Sequence, residues 1–366
     1  MKIERIELRE VTARLKFRFE TSFGVEQDLR KVLLTLYTEG VEGYGEATGG
    51  LEPGYSYETN ETVWNTLEQH IIPLVLGKDF STPAQLLAAL SPIRGHNMAV
   101  ATLETAFWDA SAKAAGVPLW VMLGGSRTEH PVGASIGVQE SVEKTVAMAQ
   151  AHAAEGYKRL KFKIKPGWDV LPLRAVRGAL PDTPLTVDAN SAYSLTDARV
   201  FGQLDELGLD YIEQPLAYDD LVDHAQLQAM LATPLCLDES VHSPEDARKG
   251  LQLGSGRVIN IKVGRVRGHL LARRTHDVAL SFGAPVWCGG MLEFGVGRAH
   301  NLHLSSLPGF TLPGDTSSAS RYWDEDIVEP LLDAVEGVQK IPDGPGLGVT
   351  LKRDLIERLT VRRQIF

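Results

Sequence analysis

The chain has few of the features that mark specialised classes of protein. It contains only two cysteines, Cys236 and Cys288, in 366 residues, which excludes a disulfide framework. No apolar run approaches the roughly 18 residues that a membrane span needs. The first residues, MKIERIELREV, alternate charged and apolar side chains instead of forming a signal peptide. We therefore expect a cytoplasmic protein.

The charge is also unremarkable, because no block of five like charges occurs. The 47 acidic and 37 basic residues give a net charge of −10. This spread argues against nucleic acid or an anionic membrane as the main partner. The length is sufficient for two domains, or for one large barrel with additions, and for a full hydrophobic core.

Residues 1–125 form the first unit. Alternating residues at 1–10 and 30–40 predict half-buried strands, and helical spacing predicts helices over 59–72 and 99–115. We expect an α+β domain that ends near the LGG sequence at 123–125.

Short apolar strands then alternate with amphipathic helices from about residue 130 to about residue 320. The predicted strands are VGASIG, RLKFKIK, LTVDAN, LDYIEQP, LCLDES, VINIKV, PVWCGG and FTLPGD. The predicted helices include 140–154, 196–207, 244–253 and 268–282. Such alternation indicates parallel strands, and seven or eight units favour a closed (β/α) barrel at 126–325, although periodicity alone does not exclude an open sheet. The segment 326–366 is expected to pack back on the first domain.

Three acidic residues occupy equivalent positions in successive predicted strands. Asp188, Glu213 and Asp238 lie at the ends of predicted barrel strands three, four and five, spaced 25 residues apart. In a parallel barrel these ends meet, so three carboxylates converge and need a compensating cation. All-oxygen ligation favours Mg²⁺ or Mn²⁺ over zinc. The alternative, that each acid caps a helix or pairs at the surface, is weaker for three residues in register.

Lysines flank this acidic centre. Lys161, Lys163 and Lys165 share one face of strand two, and Lys262 ends strand six on the opposite wall. We interpret Lys165 as a solvated edge charge. Lys163 and Lys262 are predicted to be acid/base groups, with pKa values that a neighbouring cation lowers.

This arrangement predicts proton abstraction next to a carboxylate. A cation that binds the substrate carboxylate stabilises the enolate left by proton removal. If the opposite lysine returns a proton, the α-carbon inverts. If a leaving group departs, the outcome is elimination.

Long motifs along the whole chain resemble one family. They are FETSFG, WDASAKAAGVPLWVMLGG, KFKIKPGWD, VDANSAY, YIEQPL, CLDES, INIKVGR, PVWCGGMLE and GDTSSASRYW. They resemble the enolase superfamily, in its branch of N-succinylamino acid (N-acylamino acid) racemases and o-succinylbenzoate synthases. The resemblance implies an α/β fold: a (β/α)₇β modified TIM barrel with an α+β capping domain built from the N-terminal region and the C-terminal tail. It also implies a homo-oligomer, a dimer or an octamer.

The resemblance further implies individual roles. Lys163 and Lys262 match the acid/base pair, Lys161 matches their electrostatic helper, and the three strand-end acids match the metal ligands. The loop Phe19–Gly24 matches the family's mobile lid, and Phe19 is expected to contact the substrate. The other positions that match substrate-lining residues are Ser135, Asn190, Gly290, Met291 and Leu292. Local hydrogen bonding at a strand end is the alternative for Ser135 and Asn190.

Three departures from the family pattern bear on substrate choice. Gly49, Gly50 and Gly54 stand where larger apolar side chains are common, which removes pocket walls or provides a flexible turn. Phe294 follows MLE where small residues are usual, and Arg267 replaces a glycine. These two residues reshape the pocket entrance or do not reach it.

The leading hypothesis is a Mg²⁺- or Mn²⁺-dependent racemase of N-acyl, specifically N-succinyl, α-amino acids, acting by two-base 1,1-proton transfer through a metal-stabilised enolate. The alternative is o-succinylbenzoate synthase, a syn dehydration in menaquinone biosynthesis, either instead or as a second activity of the same site. The remaining alternative is a non-catalytic barrel that only binds ligands. It predicts that at least one key position has lost its functional side chain, and none has.

Overall fold

The computed structural model describes residues 1–366. The N-terminal part contains β1 (Arg5–Glu20), β2 (Val25–Thr38), β3 (Val41–Glu46), α1 (Asn60–Thr66), α2 (Ile72–Val75), α3 (Pro83–Ala89), α4 (Asn97–Ala114) and α5 (Leu119–Leu123). The central part contains β4 (Glu129–Pro131), β5 (Ala134–Ile136), α6 (Val142–Ala154), β6 (Leu160–Lys163), α7 (Val170–Ala179), β7 (Leu185–Asp188), α8 (Ala198–Asp205), β8 (Tyr211–Glu213), α9 (Val222–Met230), β9 (Leu235–Leu237), α10 (Pro244–Leu253), β10 (Val258–Ile261), α11 (His269–Ser281), β11 (Val286–Cys288) and α12 (Gly295–Ser305). The C-terminal part contains β12 (Val328–Glu329), β13 (Val338–Lys340), β14 (Thr350–Leu351), α13 (Arg353–Leu359) and β15 (Thr360–Ile365).

The N-terminal sheet has four antiparallel strands in the order β15-β1-β2-β3. The last strand of the chain lies beside the first, with Ile365 opposite Glu7. This pairing confirms that the C-terminal tail contributes to the capping unit. Helix α4 packs directly on the sheet, and a Cβ at Gly45 would lie 1.9 Å from the carbonyl oxygen of Thr102, so the close approach requires glycine.

The barrel contains seven parallel strands in the order β11-β10-β9-β8-β7-β6-β5, as the alternating pattern predicted. The predicted eighth strand, FTLPGD at 310–315, is reduced to isolated parallel bridges from Phe310 to Val286 and from Gly314 to Val132. Pro313 supplies no backbone donor, which limits regular pairing there. The two bridges join β11 to the segment before β5 and complete the ring.

The predicted helices are present with small differences in extent. Helices α6, α8, α10 and α11 lie within their predicted ranges, and α4 covers 97–114. The helix predicted over 59–72 is interrupted by a π-helical turn at Leu67–Ile71. Pro73, just after this turn, lacks an N–H and its ring displaces the preceding carbonyl, which accounts for the irregular turn.

The two units share buried apolar contacts. Leu33 from the N-terminal sheet and Phe294 from the barrel belong to one core cluster, so the sheet covers the end of the barrel from which α12 begins. None of the helices combines the length and the apolar character required to cross a bilayer.

Candidate active site

A cavity lies between the carboxyl ends of the barrel strands and the N-terminal sheet. Both units contribute its walls because the β1–β2 turn and the segment after β3 extend over the barrel mouth. The lining residues include Phe19, Phe23, Lys31, Gly50, Tyr55, Lys163, Asn190, Lys262, Gly290, Met291 and Leu292.

The three predicted acids lie at the strand ends beneath this cavity. Asp188 ends β7, Glu213 ends β8, and Asp238 directly follows β9. Asp188 and Glu213 are paired in register across neighbouring parallel strands. All three carboxylates are buried, with at most 1% of each residue exposed. Their proximity follows from the common direction of the strands.

Lysine ammonium groups contact these carboxylates. Lys163 Nζ donates to Asp188 Oδ2 at 2.6 Å, and Lys262 Nζ donates to Asp238 Oδ2 at 2.8 Å. Lys161 Nζ lies 3.4 Å from Asp188 and 3.1 Å from Glu213. Since β6 and β10 are separated by three strands, Lys163 and Lys262 enter the same cavity from opposite walls.

Burial and charge shift the pKa values in opposite directions. Burial, reinforced by Asp188, raises the pKa of Glu213 to about 8. Burial also disfavours the charge of Asp238, but Arg265 and Lys262 hold its pKa below the usual range. Burial alone would lower the pKa of Lys262, but Asp238 raises it well above the ordinary value. In this ion-paired arrangement the pKa of Lys262 is therefore raised, and its lowering by a neighbouring bound cation stays a prediction.

The chemistry of this acidic group fits a divalent cation. Glu239, which follows Asp238, is a fourth buried carboxylate, and burial with the Asp238 charge raises its pKa. Glu239 Oε2 is buried without a hydrogen-bond partner, and Glu213 Oε2 has only the ion contact with Lys161 at 3.1 Å, so both oxygens could be ligands if Lys161 gives way. As the side chains stand, no three His, Cys, Asp or Glu residues form a ready ligand set, because the ammonium groups lie among the acids.

The predicted substrate-lining residues divide into two groups. Phe19, Asn190, Gly290, Met291 and Leu292 line the main cavity. Ser135 lines an adjoining space together with Lys161, Lys163 and Lys262. Both predicted polar residues, Ser135 and Asn190, form hydrogen bonds with other side chains.

These hydrogen bonds connect the lining to the ion pairs. Asn190 Oδ1 accepts from Lys163 Nζ at 2.6 Å, and its Nδ2 donates to Glu239 at 2.9 Å. Ser135 Oγ donates to Asp315 at 3.2 Å. Asn190 therefore helps to orient Lys163 from the neighbouring strand end.

Asp315 is a site residue that the sequence reasoning missed. Its carboxylate accepts from Lys161 at 2.6 Å and from Arg159 at 2.7 Å, and the two cations lower its pKa although burial opposes this. It is the last residue of the predicted eighth strand, FTLPGD. The rule that selected the other strand-end acids would have selected it too.

Tyr55 and Arg265 were also missed. Tyr55 OH accepts from Lys262 Nζ at 2.8 Å and from Arg265 Nη1 at 2.7 Å. Arg265 also binds the carboxylate of Asp238. Tyr55 directly follows Gly54, one of the glycines that depart from the family pattern, but nothing in the sequence linked either residue to Lys262.

The departures from the family pattern have different locations. Gly50 lines the cavity, and Gly54 packs against Phe23, which also lines it. Phe294 is fully buried and stacks on Trp323 at 4.6 Å between ring centroids. Arg267 donates to the carbonyl of Leu90 and is absent from the cavity lining.

The predicted lid lies over the strand ends. Ser22 Oγ, at the β1–β2 turn, donates to the carbonyl oxygen of Ala189 at 3.0 Å. Its mobility stays a prediction. Lys165 pairs with Glu20 at 2.9 Å and is partly exposed, which agrees with its interpretation as an edge charge.

Comparison with known proteins identifies two family matches. Residues 3–124 match the mandelate racemase/muconate lactonizing enzyme N-terminal domain, and residues 144–355 match the enolase C-terminal domain-like family. The chain is 55% identical to an N-succinylamino acid racemase of Thermus thermophilus over 361 residues, covering 99% of this chain and 98% of the relative. It is 50% identical to an o-succinylbenzoate synthase of Geobacillus kaustophilus over 365 residues, covering 100% and 97%. A solved enolase superfamily member from Listeria innocua superposes with a TM-score of 0.97 at 36% identity, covering 100% and 99%.

Proposed function

This chain belongs to the enolase superfamily, in its mandelate racemase/muconate lactonizing enzyme family, and we propose that it racemises N-succinyl α-amino acids. The reaction is a 1,1-proton transfer between two lysines. The observation that carries the proposal is the entry of Lys163 and Lys262 into one cavity from opposite barrel walls.

Two opposed amines suit inversion of a carbon centre. A planar enolate has two faces, and a racemase must remove a proton from one face and add a proton to the other. Lys163 takes the α-proton of one enantiomer while Lys262, protonated, delivers a proton to the opposite face. For the other enantiomer the two lysines exchange roles.

Neighbouring groups hold the two lysines in place. Asn190 and Asp188 contact Lys163, while Tyr55 and Asp238 contact Lys262. Lys161 remains in its ion pairs and supplies a positive charge close to the developing negative charge of the substrate carboxylate.

Asp188, Glu213 and Asp238 would hold a divalent cation, with Mg²⁺ or Mn²⁺ expected from their oxygen ligands. When bound, the cation neutralises the buried carboxylates and acidifies the α-proton of a carboxylate substrate.

We also propose that this chain acts in the cytoplasm as a homo-oligomer. The proposed domains are 1–125, 126–325 and a returning segment, 326–366.

A second activity, o-succinylbenzoate synthase, is supported by the relative of that name at 50% identity over the whole chain. The same lysine pair serves it, with one lysine as the base and the other acting by its charge while water leaves. Both activities begin with abstraction of the proton next to a carboxylate.

The proposal is tested by NMR of the protein with Mg²⁺ and N-succinyl-L-phenylalanine in D₂O, together with optical rotation. We expect loss of the α-proton signal in parallel with decay of the rotation. Dehydration of the synthase substrate is measured on the same preparation. A protein that exchanges no α-proton with Mg²⁺ or Mn²⁺, while dehydrating the synthase substrate, would overturn the racemase assignment.

A further inference from the structure

A buried lysine of the N-terminal sheet has no part in the proton transfer described above. Lys31, in β2, is 3% exposed and lines the main cavity. Leu29 and Leu33, on the same face of the strand, pack into the core shared with the barrel. The side chain of Lys31 is therefore directed towards the barrel. Burial of an ammonium group is costly unless a partner compensates its charge.

The hydrogen bonds of Lys31 are incomplete. Its Nζ donates to the carbonyl oxygen of Met291 at 2.9 Å, which is its one hydrogen bond. An ammonium group has three N–H donors, so two are left for a ligand. Lys31 lies close enough to Glu46 to lower the pKa of that carboxyl. The Glu46 oxygens, however, accept hydrogen bonds from the backbone N–H groups of Phe294 and Gly297, and Lys31 does not donate to them.

The charges around the cavity favour a negative group at Lys31. Apart from Lys163 and Lys262, Lys31 is the only cationic side chain in the cavity lining. The acidic residues of the lining are Glu26, Glu52 and Glu58, and they repel a carboxylate. A second negative charge on the substrate, remote from the reacting carbon, therefore has one favourable position.

The placement of Lys31 relative to Lys262 also suits a short acyl arm on the substrate. A Cβ at Gly289 would lie 2.6 Å from Lys262 Cε, and Met291, which holds Lys31, is two residues further along. Two residues of chain span at most about 7 Å, which bounds the distance between the two backbone positions. The five bonds from the α-carbon of an N-succinyl amino acid to its distal carboxyl carbon span about 6 Å.

We propose that Lys31 binds the distal carboxylate of the N-succinyl group and thereby selects anionic over neutral N-acyl groups. The inference rests on the proposed function and names the acyl class of its substrate. Lys31 is a specificity-determining residue and takes no part in proton transfer.

The test compares N-succinyl-L-phenylalanine with its distal carboxamide, which has the same shape without the charge. Both are assayed with wild-type protein, Lys31→Met and Lys31→Arg, and with Lys249→Met as a control because Lys249 is an exposed residue of α10 that does not line the cavity. We expect Lys31→Met to raise KM for the succinyl substrate about tenfold or more, equivalent to about 1.4 kcal/mol. KM for the carboxamide should change less than about twofold, and Lys31→Arg should retain the preference for the anion.

Equal losses for both substrates would show that Lys31 only supports Met291, and unchanged constants for both would also overturn the inference. If wild-type protein racemises neither compound, the proposed function fails separately. Calorimetric binding of the two compounds to wild-type and Lys31→Met protein then decides the inference. Weaker binding of the succinyl compound alone supports it, and any other pattern overturns it.

Discussion

The carboxylate of Glu104 accepts a 2.8 Å hydrogen bond from the backbone N–H of His269, the first residue of α11. It also accepts from Leu270 N–H at 3.0 Å and from Trp108 Nε1 at 2.7 Å. A side chain from the helix that covers the N-terminal sheet therefore caps a barrel helix. The contact fixes the capping unit beside β10, the strand that leads to Lys262.

Gly268 makes this contact possible, and its replacement should loosen it. It has φ +111°, and a Cβ there would lie 2.3 Å from Glu104 Oε2. We expect Gly268→Ala to reduce the free energy of unfolding by about 3 kcal/mol. Gly283→Ala is the matched control, because Gly283 also has positive φ but open space around it, and should cost about 1 kcal/mol. Equal losses in urea unfolding would contradict the proposed steric cause.

Replacement of either opposed lysine should stop racemisation. Lys163→Ala and Lys262→Ala each remove one of the two groups that exchange protons with the α-carbon. We expect loss of racemisation with an unchanged circular dichroism spectrum, measured by polarimetry and by α-proton exchange in D₂O. Lys249→Ala, at an exposed residue of α10, should retain activity. Full racemisation in either of the first two variants would sink the two-base assignment.

Asp315→Asn should slow the reaction and weaken the fold. The carboxylate holds both Lys161 and Arg159, so its loss leaves Arg159 a buried cation without an ion-pair partner and leaves Lys161 only its longer contacts with Asp188 and Glu213. We expect kcat to fall about tenfold to hundredfold through displacement of Lys161, and the free energy of unfolding to fall by about 3 kcal/mol. A loss confined to stability would assign Asp315 a structural role only. Asp324→Asn, at a side chain that is 94% exposed, serves as the control.

A divalent cation should stabilise the folded chain. Buried Glu239 has an oxygen without a hydrogen-bond partner, and Glu213 lies among the other buried carboxylates; a ligand that binds only the folded state raises Tm. We expect Mg²⁺ to raise Tm in thermal unfolding, and EDTA to reverse the rise. Glu213→Gln should reduce the shift, whereas Glu61→Gln, at an exposed residue, should not. An equal shift in both variants would place the cation elsewhere.

Buried histidines should make the fold sensitive to acid. Burial lowers the pKa of His300 from 6.5 to about 3, and that of His303 to about 4. Because the unfolded chain binds protons at a higher pH than the folded chain, stability is present above about pH 6.5 and is lost as the pH falls. Each histidine contributes a slope of up to about 1.4 kcal/mol per pH unit.

His300→Gln should therefore flatten the decline of the free energy of unfolding between pH 6.5 and 4, measured by urea titration. The glutamine amide can replace the donor that contacts the carbonyl oxygen of Tyr44. His70→Gln, at an exposed histidine, should retain the wild-type slope. Parallel slopes for wild-type and His300→Gln protein would show that His300 does not cause the decline.

The sequence predicted much of the fold because its determinants are local and periodic. The alternation of apolar strands and amphipathic helices predicted the parallel barrel sheet, and strand-end position selected Asp188, Glu213 and Asp238 for one region. The eighth barrel strand lies where it was predicted but forms only two isolated parallel bridges, since Pro313 limits its backbone pairing.

By itself, the sequence determined which residues have the required chemistry and the strand ends on which they lie, because side-chain direction repeats with the period of each element. Only the tertiary structure decided their partners. Asp315 meets Lys161, Tyr55 meets Lys262, and Lys31 reaches Met291 across long separations in the chain. Such contacts depend on how the capping unit and the barrel pack together, and no local pattern encodes that packing.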